Sequence, residues 1–159
     1  MKVIDNYLGP IKNKNLKKIM ESYSFMWSAG ATLDEGANKD LFNFQFSHIF
    51  YINNSINSSY FDSLGDLIKQ IKPLALIRIK ANLNTITHKI VKYPTHIDQT
   101  FKCKTAIYYV NNNNGYTMIE GKKVDSKQDR IVFFDTKKQH YGTSSTNCSN
   151  RMIINFNYF

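Results

Sequence analysis

Cysteine is scarce in this 159-residue chain, at two residues, as are proline, at three, and tryptophan, at one. Cys103 and Cys148 form no CxxC pair, which excludes an all-cysteine zinc site and gives no sign of a disulfide-stapled scaffold. Arginine is rare beside lysine: Arg78, Arg130 and Arg151 stand against 18 lysines. No apolar run approaches the roughly 18 residues of a membrane span. The opening Met1-Lys2-Val3-Ile4-Asp5-Asn6 carries no apolar leader segment. A cytoplasmic location, with both thiols reduced and no membrane partner, is therefore the expectation. No linker or internal repeat divides the chain. One domain over 1–159 is expected, with a helical support over about 1–73 and a β core over about 74–159.

What is abundant is lysine, asparagine and isoleucine, 18 of each, as expected from an AT-rich coding sequence. The formal net charge is +9, from 21 basic and 12 acidic residues. A solvated basic surface accounts for that charge, and attraction to an anionic partner such as nucleic acid is the alternative. Hydrophobic residues at 42% and aromatics at 14% place the chain among folded globular domains rather than disordered ones.

Periodicity gives a coarse order of elements. Leu16, Ile19 and Met20 lie at helical spacing within Asn15–Ser22. Phe25-Met26-Trp27 reads as a buried strand or anchor, and Leu33–Lys39 as a loop. Phe42, Phe44 and Phe46 share one face of a strand over Leu41–Ile52. A second helix is expected over Tyr60–Ile71, capped by Ser59 or a neighbour and stopped by Pro73. Strands follow at Leu74–Leu83, Lys89–Tyr93, Thr105–Asn111, Tyr116–Ile119, Ile131–Phe134 and Met152–Tyr158, with Asn114-Gly115 as a hairpin turn. Two helices before many short strands predict a mainly β sandwich or barrel, with the helices packed on one side.

The chemistry concentrates in His96-Ile97-Asp98. On an extended segment, positions i and i+2 face the same way, so one imidazole and one carboxylate can meet at a point. His140 supplies a second imidazole. Two histidines and a carboxylate leave about three positions open on an octahedral metal, which suits Fe(II) binding a cosubstrate and dioxygen. Zn²⁺ in a hydrolytic site is the alternative. Arg151 follows, and its planar charge suits the far carboxylate of a dicarboxylate ligand, a role hydrolysis does not need. Arg151, Ile153, Asn155 and Asn157 share one strand face. Tyr109 shares a face with Thr105 and Ile107 and could donate to the same carboxylate. Asp135 is read as capping the turn before His140. Arg78 and Lys80 share a face read as solvated, with a substrate entrance as the alternative.

His96-Ile97-Asp98, Thr105-Ala106-Ile107-Tyr108-Tyr109-Val110-Asn111, Asn114-Gly115-Tyr116-Thr117, Arg130-Ile131-Val132-Phe133-Phe134-Asp135, His140-Tyr141-Gly142 and Arg151-Met152-Ile153-Ile154-Asn155 together resemble the 2-oxoglutarate and Fe(II)-dependent oxygenases. The similarity is greatest to their prolyl 4-hydroxylase-like branch. Leu76–Leu83 looks like the strand before the metal motif in small phage-encoded members. The resemblance implies a double-stranded β-helix, a jelly roll related to the cupins. It implies Fe(II) on His96, Asp98 and His140, and 2-oxoglutarate on Arg151 and Tyr109. Dioxygen would be consumed, with ascorbate a candidate reductant. The implied reaction is hydroxylation of a protein side chain or small metabolite, with 2-oxoglutarate decarboxylated to succinate and CO₂. Where the prolyl hydroxylases carry a Tyr- and Gly-containing turn, this chain has Asn82-Leu83-Asn84-Thr85, and Asn82 is the candidate cosubstrate contact. A nucleic-acid-oxidising relative and a non-enzymatic jelly roll are the competing readings.

Overall fold

A computed structural model describes residues 1–31 and 44–159. The first half contains β1 (Lys2–Ile4), α1 (Pro10–Met20), β2 (Ser28–Ala31), β3 (Phe44–Ile52), β4 (Ser55–Ile56) and a 3-10 turn (Phe61–Leu64) running into α2 (Gly65–Ile71). The second half contains β5 (Leu76–Thr85), β6 (Lys104–Tyr109), β7 (Tyr116–Ile119), β8 (Lys122–Asp125), β9 (Arg130–Asp135), β10 (His140–Gly142) and β11 (Asn150–Tyr158). Among the described residues, eight strands form one antiparallel sheet in the order β1-β9-β6-β11-β5-β3-β2, with β4 on β3. A smaller sheet, β10-β7-β8, faces it, and the chain from Ile86 to His96 runs beside β10 through single bridges. Two facing antiparallel sheets make the jelly roll, the double-stranded β-helix expected of the sequence.

Strand β11 organises the whole. Every residue from Arg151 to Tyr158 is buried, because β5 and β6 flank it and both faces are covered. Met152, Ile154, Phe156 and Tyr158 enter one hydrophobic core with Ile79 and Ala81 of β5, Ala106 and Tyr108 of β6, and the helical side chains Leu16, Met20, Leu64 and Leu67. Ile153 enters a second core between the sheets with Ile107, Tyr109, Ile119, Val124, Val132 and Phe134. Both helices therefore cover the outer face of the large sheet, and the inner face is shared between the second core and polar groups.

Helix α1 starts five residues before the expected Asn15 and ends at Met20. Pro10 sits at its first turn, and the Asp129 carboxylate accepts the Leu8 and Gly9 amides at 2.8 and 2.9 Å. Buried Asn13 donates to the Tyr108 hydroxyl at 2.8 Å and the Val110 carbonyl at 3.2 Å. Near the second helix, Ser58 rather than Ser59 accepts the Tyr60 amide, at 3.0 Å. Lys72 turns left-handed at φ 54° before Pro73.

Several expected elements differ. Phe25 is a buried anchor, but Met26 is exposed and the strand starts only at Ser28. Leu33–Lys39 and Phe42 lie outside the described residues. Lys89–Tyr93 forms no strand, only a bridge from Lys92 to Thr143. Asn114-Gly115 is not a hairpin turn: β6 belongs to the large sheet and β7 to the small one, so the segment crosses between sheets. The hairpin is β7–β8, turning at Glu120 and Gly121 with φ 44° and 77°. Strands β1 to β3 belong to the large sheet, so residue 73 marks no seam in it.

Candidate active site

The His96 and His140 backbones hydrogen-bond each other in both directions, each at 2.9 Å. This antiparallel bridge sets the two imidazoles side by side, with ring centroids 4.4 Å apart. The Asp98 amide donates to the Thr136 carbonyl at 3.3 Å, which holds the extended His96–Asp98 segment against the loop after β9. The Asp135 carboxylate accepts the Lys137 amide at 3.0 Å in that loop, the turn role expected of it. One donor atom from each of His96, Asp98 and His140 lies within 4.8 Å of the others.

The protonation pattern suits a cation. His96 Nδ1 lies 3.1 Å from the Pro94 carbonyl and His140 Nδ1 lies 2.9 Å from the Lys138 carbonyl. A carbonyl only accepts, so both Nδ1 atoms carry a proton, and Nε2 is the atom each ring has left for a ligand. Burial, then the charge of His140, pushes the His96 pKa down, which favours the neutral ring. For Asp98, burial opposes ionisation, but the charges of His140 and Arg78 and the amides of Asn155 and Asn157 outweigh it and hold the pKa below its ordinary value. The Asp98 side chain is only 3% exposed. Its Oδ2 accepts from Thr105 at 3.0 Å and from the Asn155 and Asn157 amides at 3.1 Å. Its Oδ1 accepts from Arg78 at 3.1 Å. Two imidazoles with Nε2 free for a ligand and one ionised carboxylate form a donor set that fits a divalent transition metal.

These groups open into a cavity of about 100 Å³ between the two sheets. Arg151 closes its inner end. The side chain is buried at 1% exposed, with Nε donating to Ser126 at 2.8 Å and Nη2 to Thr117 at 3.0 Å. Among the described residues, no carboxylate lies within ion-pair distance of it. Burial pushes its pKa down, while Tyr109 and Tyr93 act in the opposite direction. Tyr109 lies behind the guanidinium, whose carbon is 5.8 Å from the ring centroid. Among the described residues its buried hydroxyl has no well-formed hydrogen-bond partner, and burial raises its pKa. Tyr109 does not itself line the cavity; Asn82 does, with a buried Oδ1 that has no partner.

All six residues singled out in the sequence thus converge on one region. The parity of β11 is as expected: Arg151, Ile153 and Asn155 line the cavity, and Asn157 points the same way to reach Asp98. The solvated face expected for Arg78 and Lys80 is overturned. Both line the cavity, because β5 lies next to β11 and turns its odd-numbered apolar side chains outward to the helices. Burial, then the charge of Arg78, pushes the Lys80 pKa down, with Asp98 opposing. Tyr93 and Thr117 were not foreseen. Tyr93 lines the cavity, and its amide donates to the Gly142 carbonyl at 3.0 Å. The one available signal was its place three residues before His96, and an aromatic there is ambiguous. His48 lies apart from the site and has both ring nitrogens engaged, with the Met26 carbonyl and the Ser58 hydroxyl, each at 2.7 Å.

No protein-family model matches the chain, and no curated protein matches it in sequence. Solved structures do match in shape. A prolyl hydroxylase from Trichoplax adhaerens, in complex with a hypoxia inducible factor oxygen degradation domain peptide fragment, aligns with a TM-score of 0.72 at 16% identity, over 99% of this chain and 82% of that one. A 2OG-Fe(II) oxygenase family oxidoreductase from Burkholderia pseudomallei aligns at 0.66 and 8% identity, over 98% and 83%. A Pseudomonas putida prolyl-4-hydroxylase aligns at 0.61 and 9% identity, over 99% and 91%. The fold is that of the 2-oxoglutarate and Fe(II) oxygenases. At these identities the likeness is one of fold, and the argument for chemistry rests on the residues. Among the described residues, no helix is long and apolar enough to cross a membrane.

Proposed function

We propose that this chain is an Fe(II)- and 2-oxoglutarate-dependent oxygenase that hydroxylates a protein side chain or a small metabolite. The observation that carries the proposal is Arg151: a fully buried guanidinium with no carboxylate partner among the described residues, facing the same cavity as a two-histidine, one-carboxylate donor set. A buried unpaired charge costs several kcal/mol, which a ligand carboxylate would offset. A hydrolytic zinc site gives no reason to keep such a cation.

The residues divide the work. His96, Asp98 and His140 would hold the metal through two Nε2 atoms and one carboxylate oxygen. Thr105, Asn155 and Asn157 keep that carboxylate ionised and aimed. Arg151 would take the far carboxylate of 2-oxoglutarate, with Asn82 along the cavity wall; Tyr109 lies behind the guanidinium and off the cavity, so it would support Arg151 rather than donate to the ligand. When bound, Fe(II) and 2-oxoglutarate supply dioxygen activation, coupled to decarboxylation of the cosubstrate to succinate and CO₂. The peptide bound by the Trichoplax prolyl hydroxylase supports a protein side chain as the substrate.

The test is anaerobic addition of Fe(II) and then 2-oxoglutarate to the apoprotein, read by the visible charge-transfer band of the chelate. The expected result is a band in the wild type, none in His96→Ala, and in Arg151→Ala a need for at least tenfold more 2-oxoglutarate. Folded wild type with no band and tight Zn²⁺ binding would overturn the proposal.

A further inference from the structure

Strand β5 presents Arg78, Lys80, Asn82 and Asn84 to the cavity, and its register with β11 orders them along it. Asn84 lies opposite Arg151, Lys80 opposite Asn155, and Arg78 opposite Asn157. The four steps from Asn84 to Lys80 span about 13 Å of strand. That is longer than a five-carbon diacid, so the carboxylate held by Arg151 has a place of its own, apart from Lys80 and Arg78. Arg78 sits beside Asp98 at the metal-binding end, and its buried Nε has no partner among the described residues. Lys80 is half-buried, and among the described residues it makes no ion pair.

Charge balance sharpens the point. Among the described residues, the cavity wall carries three cations, Arg78, Lys80 and Arg151, against the one carboxylate of Asp98, the histidines being neutral once they ligate a metal. A divalent metal adds two positive charges and 2-oxoglutarate removes two. An excess of two positive charges then remains, concentrated where the substrate must enter. A site for a neutral prolyl or aliphatic side chain has no use for that excess, since desolvating unpaired cations is unfavourable.

We infer that Lys80 and Arg78 form a second carboxylate-binding site beside the metal triad, so that the substrate to be oxidised carries an acid group close to the reacting carbon. This rests on the oxygenase reading and adds a substrate class to it. Lys80 is the cleaner handle, because Arg78 also holds Asp98.

The test uses protein loaded anaerobically with Fe(II) and saturating 2-oxoglutarate, titrated by calorimetry with two matched pairs of probes. One pair is N-acetyl-aspartate N-methylamide and its asparagine counterpart, an acidic and a neutral residue in a peptide frame. The other is butyrate and butyramide. At least one acid is expected to bind tenfold or more tightly than its amide. Lys80→Met should abolish that preference, Lys80→Arg should keep it, and neither should alter amide binding. The pair that shows the preference tells a peptide side chain from a free acid. Equal binding of acid and amide in both pairs, or a preference untouched in Lys80→Met, would overturn the inference. If the wild type gives no charge-transfer band, the oxygenase reading falls and this inference with it. A band without acid preference defeats this inference alone.

Discussion

At the scale of single residues, the site depends on atoms that leave room for others. Gly115 does not take a left-handed φ, so that freedom is not what requires it. A Cβ at Gly115 would lie 2.6 Å from the Ser144 carbonyl oxygen and 2.7 Å from Arg151 Cδ. The first contact is backbone and cannot yield without moving the loop after β10. The second is the stem of the buried guanidinium. Gly115→Ala is therefore expected to cost about 1–3 kcal/mol of stability, as overpacking does, and to weaken 2-oxoglutarate binding by displacing Arg151. Urea unfolding and a cosubstrate titration check the two effects. Unchanged stability with unchanged binding would mean that Arg151 has slack the geometry denies.

At the scale of elements, β11 separates packing from chemistry by the alternation of its side chains. Phe156 is fully buried toward the helices, while Asn155 and Asn157 hold Asp98 on the other face. Phe156→Ala should cost about 3–5 kcal/mol, the usual result of emptying an aromatic core position. The expected reading is a fall in the urea midpoint with metal affinity of the folded protein unchanged within a few fold. A large loss of metal affinity at full stability would show that the two faces are coupled. The same alternation made β11 and the inward face of β6 legible in the sequence, because strands of six residues or more have enough turns of the pattern to show it, whereas His96–Asp98 was legible from its residue types and i, i+2 spacing. Strands β1, β8 and β10 have three or four residues each and show no period. The start of α1 depends on Asp129, over a hundred positions away, so no local signal marks it. Arg78 was misread for a related reason: its parity was visible, but which face of β5 looked inward depended on the pairing with β11.

At the scale of the whole molecule, the chain's first strand is tied to the far half of the sequence by charge as well as by backbone. Strand β1 pairs with β9, and Asp5 just beyond it accepts from Arg130 Nε at 2.6 Å and Nη2 at 3.1 Å, and from Lys127 at 2.7 Å. In a protein of net charge +9, this carboxylate relieves repulsion between two cations while closing the edge of the large sheet. Hydrogen bonds from Arg130, then from Lys127, hold the Asp5 pKa well below the ordinary carboxylate range. Its folded pKa is below its unfolded value of about 4, so its contribution is fully present above that pH. It is lost as the pH falls from there toward the folded pKa. Asp5 is one-third exposed, so solvent screening limits its worth to about 0.5–1 kcal/mol. Asp5→Asn should therefore be less stable than wild type by that amount at pH 7, and the gap should close as the pH falls below about 3. Urea midpoints across that range, at low and at high salt, decide it. Salt should shrink the gap at pH 7, because a partly exposed pair is screened. A gap that persists unchanged into acid would mean that the asparagine disturbs the β1 edge by its shape rather than by its lost charge.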